Sequence, residues 1–341
     1  MQDDDYFHLK MFKEARFKKL KIYFSDCRKI KVYIANKYSN AISEGFKSLV
    51  DVNFIDDDFF SDSNILNLEE KIRKLEGSII IFNSHMPQWN GDVSTLRNFI
   101  DIYLKSNNCL FAGWDWDNHH TVHISSIIAA GSDIYCHAHF NNDYEMGSLN
   151  DHRSRVAVTT FQWREEVILN EIDYLLTNRR TNDPLGWHVR YGLFGYREKV
   201  IATLSQTHPT IGLLEHGNIY FQRSELERLK EWGNHKVHWV VPTLNDLPCR
   251  VFDALITGGI PIIPLFLKGD PELSALDEQD CEFYSGNDIL DSSAVTARAI
   301  EKFDQGGEVG IFRRINFVIN DHTFSIRLSR ILELIKEKLR T

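Results

Sequence analysis

What most constrains this chain is an alternation. Short apolar runs of strand length recur, each followed by a longer stretch with apolar residues in helical rhythm. KVYIAN (31–36), DVNFID (51–56), GSIIIFNSH (77–85), CLFAGWDWD (109–117) and DIYCHAHF (133–140) read as strands. ISEGFKSLV (42–50), EEKIRKL (69–75), RNFIDIYLK (97–105) and ISSIIAAG (124–131) read as the helices between them. Strands joined through helices pair in parallel, because the crossover returns the chain to the same end of the sheet. An α/β first half with a Rossmann-like set of about five strands is therefore expected.

The alternation restarts further on. HVRYGLF (188–194), REKVIATLSQ (197–206), TIGLLEHG (210–217), SELERLKEW (224–232) and KVHWVVP (236–242) again run strand, helix, strand, helix, strand. Between the halves, TNRRTNDPLG (177–186) is polar with Pro and Gly and reads as a linker. A chain of 341 residues also exceeds what one core ordinarily organises. The expectation is two Rossmann-like domains facing a cleft, at 1–177 and 178–341. The final amphipathic helix, with Asp321 placed to cap it, is a candidate to pack back on the first domain.

Charge and cysteine usage exclude several classes. A net charge of −9 argues against a nucleic-acid partner, which needs a basic surface to displace counterions. Five scattered cysteines with no C-x-x-C indicate a reduced, cytoplasmic setting without disulfides or a thiolate zinc site. No run approaches the roughly 18 apolar residues of a membrane helix. LKMFKEARFKKLK (9–21) carries six Lys or Arg. It reads as a solvated helix face, or as a peripheral contact with an anionic membrane.

In an open α/β sheet, ligands lie beyond the carboxyl ends of the strands. The loop to read first is in VPTLNDLPCRVFDALITGGIPIIP (241–264). A strand ends near Pro242, Asn245 or Asp246 is placed to cap a helix, and Pro248 falls in its first turn. Gly258 and Gly259 end that helix before a strand from Ile260. Asp246, Arg250, Asp253 and Thr257 then share one helix face. A helix N-terminus suits a phosphate, and a carboxylate two turns on can accept two ribose hydroxyls. The alternative is a plain cap at Asp246 with a surface pair between Arg250 and Asp253.

TLNDLPCRVFDALITGGIPII resembles the strand–loop–helix signature in the C-terminal domain of GT-B glycosyltransferases, in their group 1 and spore-coat-related branches. More loosely, the similarity reaches Gly186, Tyr191, Gly192, Arg197 and Lys199, so it covers residues 186–264. The resemblance implies a nucleotide-sugar donor, UDP-, GDP- or CMP-linked, on the second domain. Asp253 would hold the ribose, and Asn245 or Asp246 the transferred sugar. The family's spacing aligns Asn245 strictly. This chain departs by placing Asp at the neighbouring position and Asp rather than Glu at 253. Arg197 and Lys199 become candidates for the phosphates and His216 for the base, with Arg250, Gly258 and Gly259 completing the donor side.

On the first domain, GWDWDNHHTVH (113–123) gathers Asp115, Asp117, His119, His120 and His123 with two tryptophans. One reading is a metal site of a hydrolase. Another is a base, Asp117 or His119, beside an acceptor platform of Trp114, Trp116 and His120. A third is a helix cap with aromatic packing. D-x-D is also the metal motif of GT-A transferases, where a second Rossmann domain with a GG-x-P turn has no role. His85, His137 and His139 end neighbouring strands and share the rim.

The expected activity is transfer of a sugar to a hydroxyl of a glycan or lipid-linked acceptor in surface glycan assembly. No cofactor and no divalent metal are expected, with Asp117, His119 or Asp246 as catalytic group. The rivals are the metal-dependent hydrolase and a non-catalytic nucleotide- or sugar-binding subunit.

Overall fold

The computed structural model describes residues 3–25, 30–56, 59–60, 65–83, 93–116, 118, 122–139, 150–192, 195–215 and 217–340. The chain divides into two compact units, Met1–Ala157 with Arg327–Thr341, and Val158–Ile326.

The first unit runs α1 (Asp3–Ser25), β1 (Lys31–Ala35), α2 (Glu44–Leu49), β2 (Asp51–Ile55), α3 (Ile65–Leu75), β3 (Ser78–Asn83), α4 (Val93–Lys105), β4 (Leu110–Asp115), α5 (Val122–Ala130), β5 (Ile134–His137) and β6 (Arg153–Arg155). Its sheet has the order β2-β1-β3-β4-β5-β6 with every pair parallel. All six residues of β4 are buried, as a central strand covered on both faces requires. The short edge strand β6 carries no apolar run and left no sequence signal.

Half of the basic stretch 9–21 is spent inside this unit. Arg16 is buried and donates from Nε to Asp133 Oδ1 at 2.8 Å and from Nη1 to Ser106 O at 2.7 Å. Lys13 Nζ reaches the last carbonyls of α5, Ala129 O at 2.7 Å and Ala130 O at 3.1 Å, where the helix end is negative. Lys10 pairs with Asp151 at 3.1 Å. An anionic surface would meet Lys18 and Lys19, which are exposed, and Lys21, half-buried beside the Phe17 ring. The continuous solvated basic face expected from sequence is therefore corrected to an anchoring helix.

The second unit begins with α6 (Glu165–Asn170) and α7 (Ile172–Thr177), then β7 (Gly186–Val189), α8 (Gly195–Thr207), β8 (Ile211–Leu214), α9 (Glu225–Gly233), β9 (Val237–Trp239), α10 (Cys249–Ile256), β10 (Ile260–Pro264), β11 (Glu282–Tyr284) and α11 (Ser292–Asp321), kinked at Gly307. β7 pairs with β8, and β11-β10-β9 form a second ladder, all parallel. Bridges Leu185–His238 and Thr181–His235 join the two ladders in the order β8-β7-β9-β10-β11. Both units thus repeat the doubly wound pattern in which the order reverses between the first and third strands, the usual seat of a ligand.

Asp321 ends α11 instead of capping the last helix, α12 (Phe324–Arg340). The cap is Thr323, whose hydroxyl accepts from Ile326 N at 3.4 Å.

α10 is the pivot of the second unit. Val251 to Ile256 are all buried, because the helix lies on the sheet with α11 packed against it. Gly258 follows with φ +77°, and a Cβ there would sit 2.5 Å from Ile311 Cγ2. A Cβ on Gly259 would sit 2.4 Å from the His238 ring. Two buried guanidiniums meet the negative end of this helix: Arg180 Nη2 on Thr257 O at 2.9 Å and Arg314 Nε on Gly258 O at 2.9 Å. Arg314 Nη1 also pairs with buried Asp280 at 2.9 Å.

Candidate functional site

At the reversal point of the second sheet, the ends of β7 and β9 are stitched by side chains. Arg197, in the first turn of α8, donates from Nη1 to Val189 O at 2.8 Å and from Nε to Val241 O at 3.1 Å. His188 lies below it, fully buried, with Nδ1 2.7 Å from Gly186 O and Nε2 accepting from Val241 N at 3.1 Å. The accepting Nε2 makes the ring neutral. Burial, then Arg250 and Arg197, push its pKa well below the usual value. Burial and the neighbouring Arg250 also lower the pKa of Arg197, while Asp246 acts in the opposite direction. Two cationic side chains and a carboxylate thus converge on this corner.

Beside them opens a pocket of about 700 Å³ at the carboxyl ends of β9, β10 and β11. Its wall includes Tyr196 and Arg197 from α8, Pro242, Leu244 and Asn245 after β9, Leu265 and Phe266 after β10, and Tyr284, Ser285 and Ile289. Leu244 has φ +58°, a left-handed backbone that costs a branched side chain about 1–2 kcal/mol. It is nonetheless 51% exposed. Sequence reasoning passed over Leu244, Phe266 and Tyr284, because nothing in their residue types marks a left-handed turn or a pocket wall.

The corner itself differs from the sequence expectation. α10 begins at Cys249, and its N-cap is Pro248, whose side chain has no group to cap it. The N-cap position thus falls at Pro248, not at Asn245 or Asp246 as expected, after a bend and turn over residues 243–245. Asn245 is exposed and lines the pocket, whereas Asp246 is buried.

Asp253 is 0% exposed, and its Oδ2 accepts from Gln162 Nε2 at 2.6 Å. Burial raises its pKa to about 6, against the stabilising hydrogen bonds of Thr160 and Gln162 and the charge of Arg250. Its Oδ1 is buried without a hydrogen-bond partner, so a ribose at Asp253 would have to open the cover that buries this carboxylate. Gly258 and Gly259 are buried in packing against Ile311, Arg180 and His238, which accounts for both without a ligand. Arg250 is half-buried and Lys199 exposed. His216 lies outside the described residues.

In the first unit the two tryptophans expected in an acceptor platform are buried. Trp114 is 1% exposed and donates from Nε1 to Val156 O at 2.8 Å. Trp116 is 5% exposed, edge-on to Trp114 at 5.0 Å and against Tyr38 at 5.1 Å. Trp114 is core because β4 is buried throughout, and Trp116, just beyond the strand, is buried against Trp114 and Tyr38. Asp115 is buried and accepts from the Tyr135 hydroxyl at 2.9 Å. His139 is buried, with Nε2 2.7 Å from Trp116 O, and Asn118 exchanges two bonds with the His139 backbone. Asp117, His119, His120, His85 and the His123 side chain lie outside the described residues. Among the described residues no group of three or more His, Cys, Asp or Glu is arranged to hold a metal.

No protein-family model matches the chain, and no curated protein matches it in sequence. Solved structures do. HepE from Anabaena, in complex with UDP-glucose, superposes with a TM-score of 0.51 at 8% identity, over 91% of this chain and 99% of that one. A UDP-forming α,α-trehalose-phosphate synthase from Burkholderia vietnamiensis does so with a TM-score of 0.51 at 9% identity, over 91% and 100%. At such identities the likeness is one of fold. The chain has the α/β fold of these proteins, two Rossmann-like units in the GT-B class.

Proposed function

We propose that the protein is a glycosyltransferase that takes a nucleotide-linked sugar on its second unit. The observation that carries this reading is the pocket at the carboxyl edge of β9–β11, lined by both Arg197 and Asn245. It lies beside the reversal point of a doubly wound sheet. The fold is shared with HepE, whose structure holds UDP-glucose.

In this reading the diphosphate lies over the first turn of α10, where the positive end of the helix dipole favours an anion. Arg197 and Arg250 flank it. As the bond from the anomeric carbon to the phosphate oxygen breaks, charge grows on the departing diphosphate. The guanidiniums and the helix dipole stabilise that charge without a divalent metal. Asn245 meets the transferred sugar, and Asp253, once uncovered, takes the ribose hydroxyls. The acceptor hydroxyl attacks the anomeric carbon and gives its proton to Asp117 or His119 if configuration inverts. If configuration is retained, Asp246 is the carboxylate of this corner. A glycan or lipid-linked acceptor, used in surface glycan assembly on the cytoplasmic side of a membrane, completes the proposal. No helix of the described residues is long and apolar enough to cross a membrane.

Thermal-shift titration with UDP, GDP, CMP and dTDP, each with and without EDTA, tests this. One nucleotide is expected to stabilise the protein equally in both conditions. Stabilisation that requires metal favours the hydrolase reading. Nucleotide binding without any turnover of a sugar donor favours a non-catalytic subunit.

A further inference from the structure

The pocket wall is predominantly apolar, a poor match for a bare hexose. Every hydroxyl of an unsubstituted sugar that loses water needs a new partner, and an unpaired one costs about 1–3 kcal/mol. Yet Leu244, Leu265, Phe266, Tyr284 and Ile289 supply much of the wall. The side-chain polar groups are gathered at Asn245, Arg197, Ser285 and the two tyrosine hydroxyls. Of the Arg197 guanidinium, Nε and Nη1 already bond to backbone carbonyls.

Leu244 sharpens the point. A leucine held at φ +58° with half its surface in solvent gains little from packing and carries backbone strain. Glycine or asparagine would occupy that turn with less strain. Its neighbour in sequence, Asn245, lines the same pocket, so the strained turn presents an apolar and a polar side chain together. Phe266, 54% exposed, gives a second large apolar surface to the same space.

We propose that this pocket selects a donor sugar bearing an apolar substituent, the methyl of an N-acyl group or of a deoxy position, and that Leu244 is the specificity-determining residue. The inference rests on the nucleotide-sugar reading above. A methyl group in a hydrophobic pocket is worth about tenfold or more in discrimination.

The test first finds the nucleotide that binds, by calorimetry with UDP, GDP, CMP and dTDP. It then compares the N-acylated, the deoxy and the unsubstituted sugar on that same nucleotide, with wild type, Leu244→Asn and Leu244→Gly. The expected result is that at least one substituted donor binds about tenfold tighter than the unsubstituted one. The arm that wins distinguishes the acyl from the deoxy methyl. In both variants that preference is expected to fall below about threefold, while thermal stability is unchanged or higher. Equal affinities in wild type, or a preference that survives in both variants, overturn the specificity assignment while leaving the donor reading intact. Failure of all four nucleotides to bind overturns the donor reading and the inference with it.

Discussion

His188 Nε2 accepts the backbone N–H of Val241 at 3.1 Å, and this bond holds the end of β7 to the loop that leaves β9. The two ladders of the second unit share only isolated bridges here, so a side chain takes over where the backbone pattern stops. The bond exists only while Nε2 lacks a proton.

Stability should therefore fall on mild acidification. His137, His152, His188, His208 and His238 all have lowered pKa values with burial as the first cause. Below about pH 6.5 the unfolded chain takes up protons that the folded chain refuses, so stability drops as pH falls through that window. Each well-shifted ring contributes up to about 1.4 kcal/mol per pH unit. Urea unfolding at pH 7.5, 6.5 and 5.5 checks this, and His188→Gln should flatten the slope while costing about 1–2 kcal/mol at pH 7.5. A midpoint constant from pH 7.5 to 5.5 refutes it.

Asp253 works in the opposite sense. Its folded pKa of about 6 exceeds the unfolded value, so the folded chain binds the extra proton and gains stability as pH falls from 6 toward 4. Asp253→Asn is expected to raise stability at pH 8 by about 1–3 kcal/mol, because a fully buried charge is removed. It should weaken nucleotide binding at least tenfold and abolish any loss of affinity below pH 6. Unaltered nucleotide affinity in the variant removes the ribose assignment.

Arg197 joins structure and chemistry in one side chain. Arg197→Lys keeps a cation but loses the planar fork that reaches both Val189 O and Val241 O. The expected loss is about 1–3 kcal/mol of stability, together with weaker nucleotide binding. Lys199→Ala, at an exposed position, should leave stability within about 0.5 kcal/mol. Nucleotide affinity in the Lys199 variant then reports whether that side chain contacts phosphate.

The ion pair of Asp280 with Arg314 is buried on both sides and supports the turn at Gly258. Asp280→Ala strands a guanidinium in the core and is expected to cost about 3–5 kcal/mol, read by denaturant unfolding. Nucleotide binding by the folded fraction should persist, since Asp280 does not line the pocket.

Much of the architecture was legible because its signals are local. The apolar runs at 31–36, 51–56, 77–85, 109–117 and 133–140 contain β1 to β5, and the double glycine after α10 became the turn its backbone requires. β6 and β11 escaped, since a strand of three residues at a sheet edge has no periodicity to read. The candidate site was legible as a sheet edge, not as a set of roles. Asn245, Arg197 and Arg250 lie at the expected edge, but the roles of their neighbours depend on burial.

The order of strand and helix, and with it the parallel sheets and the edge where ligands gather, follows from hydrophobic pattern, because each apolar run must find cover. Whether Trp114 faces a ligand or the core, whether Asp253 meets solvent or Gln162, and which way Leu244 turns depend on what is packed against them. Those neighbours come from distant parts of the chain: Val156 for Trp114, and Gln162 for Asp253. No local pattern encodes such a partnership, so only the tertiary structure decides it.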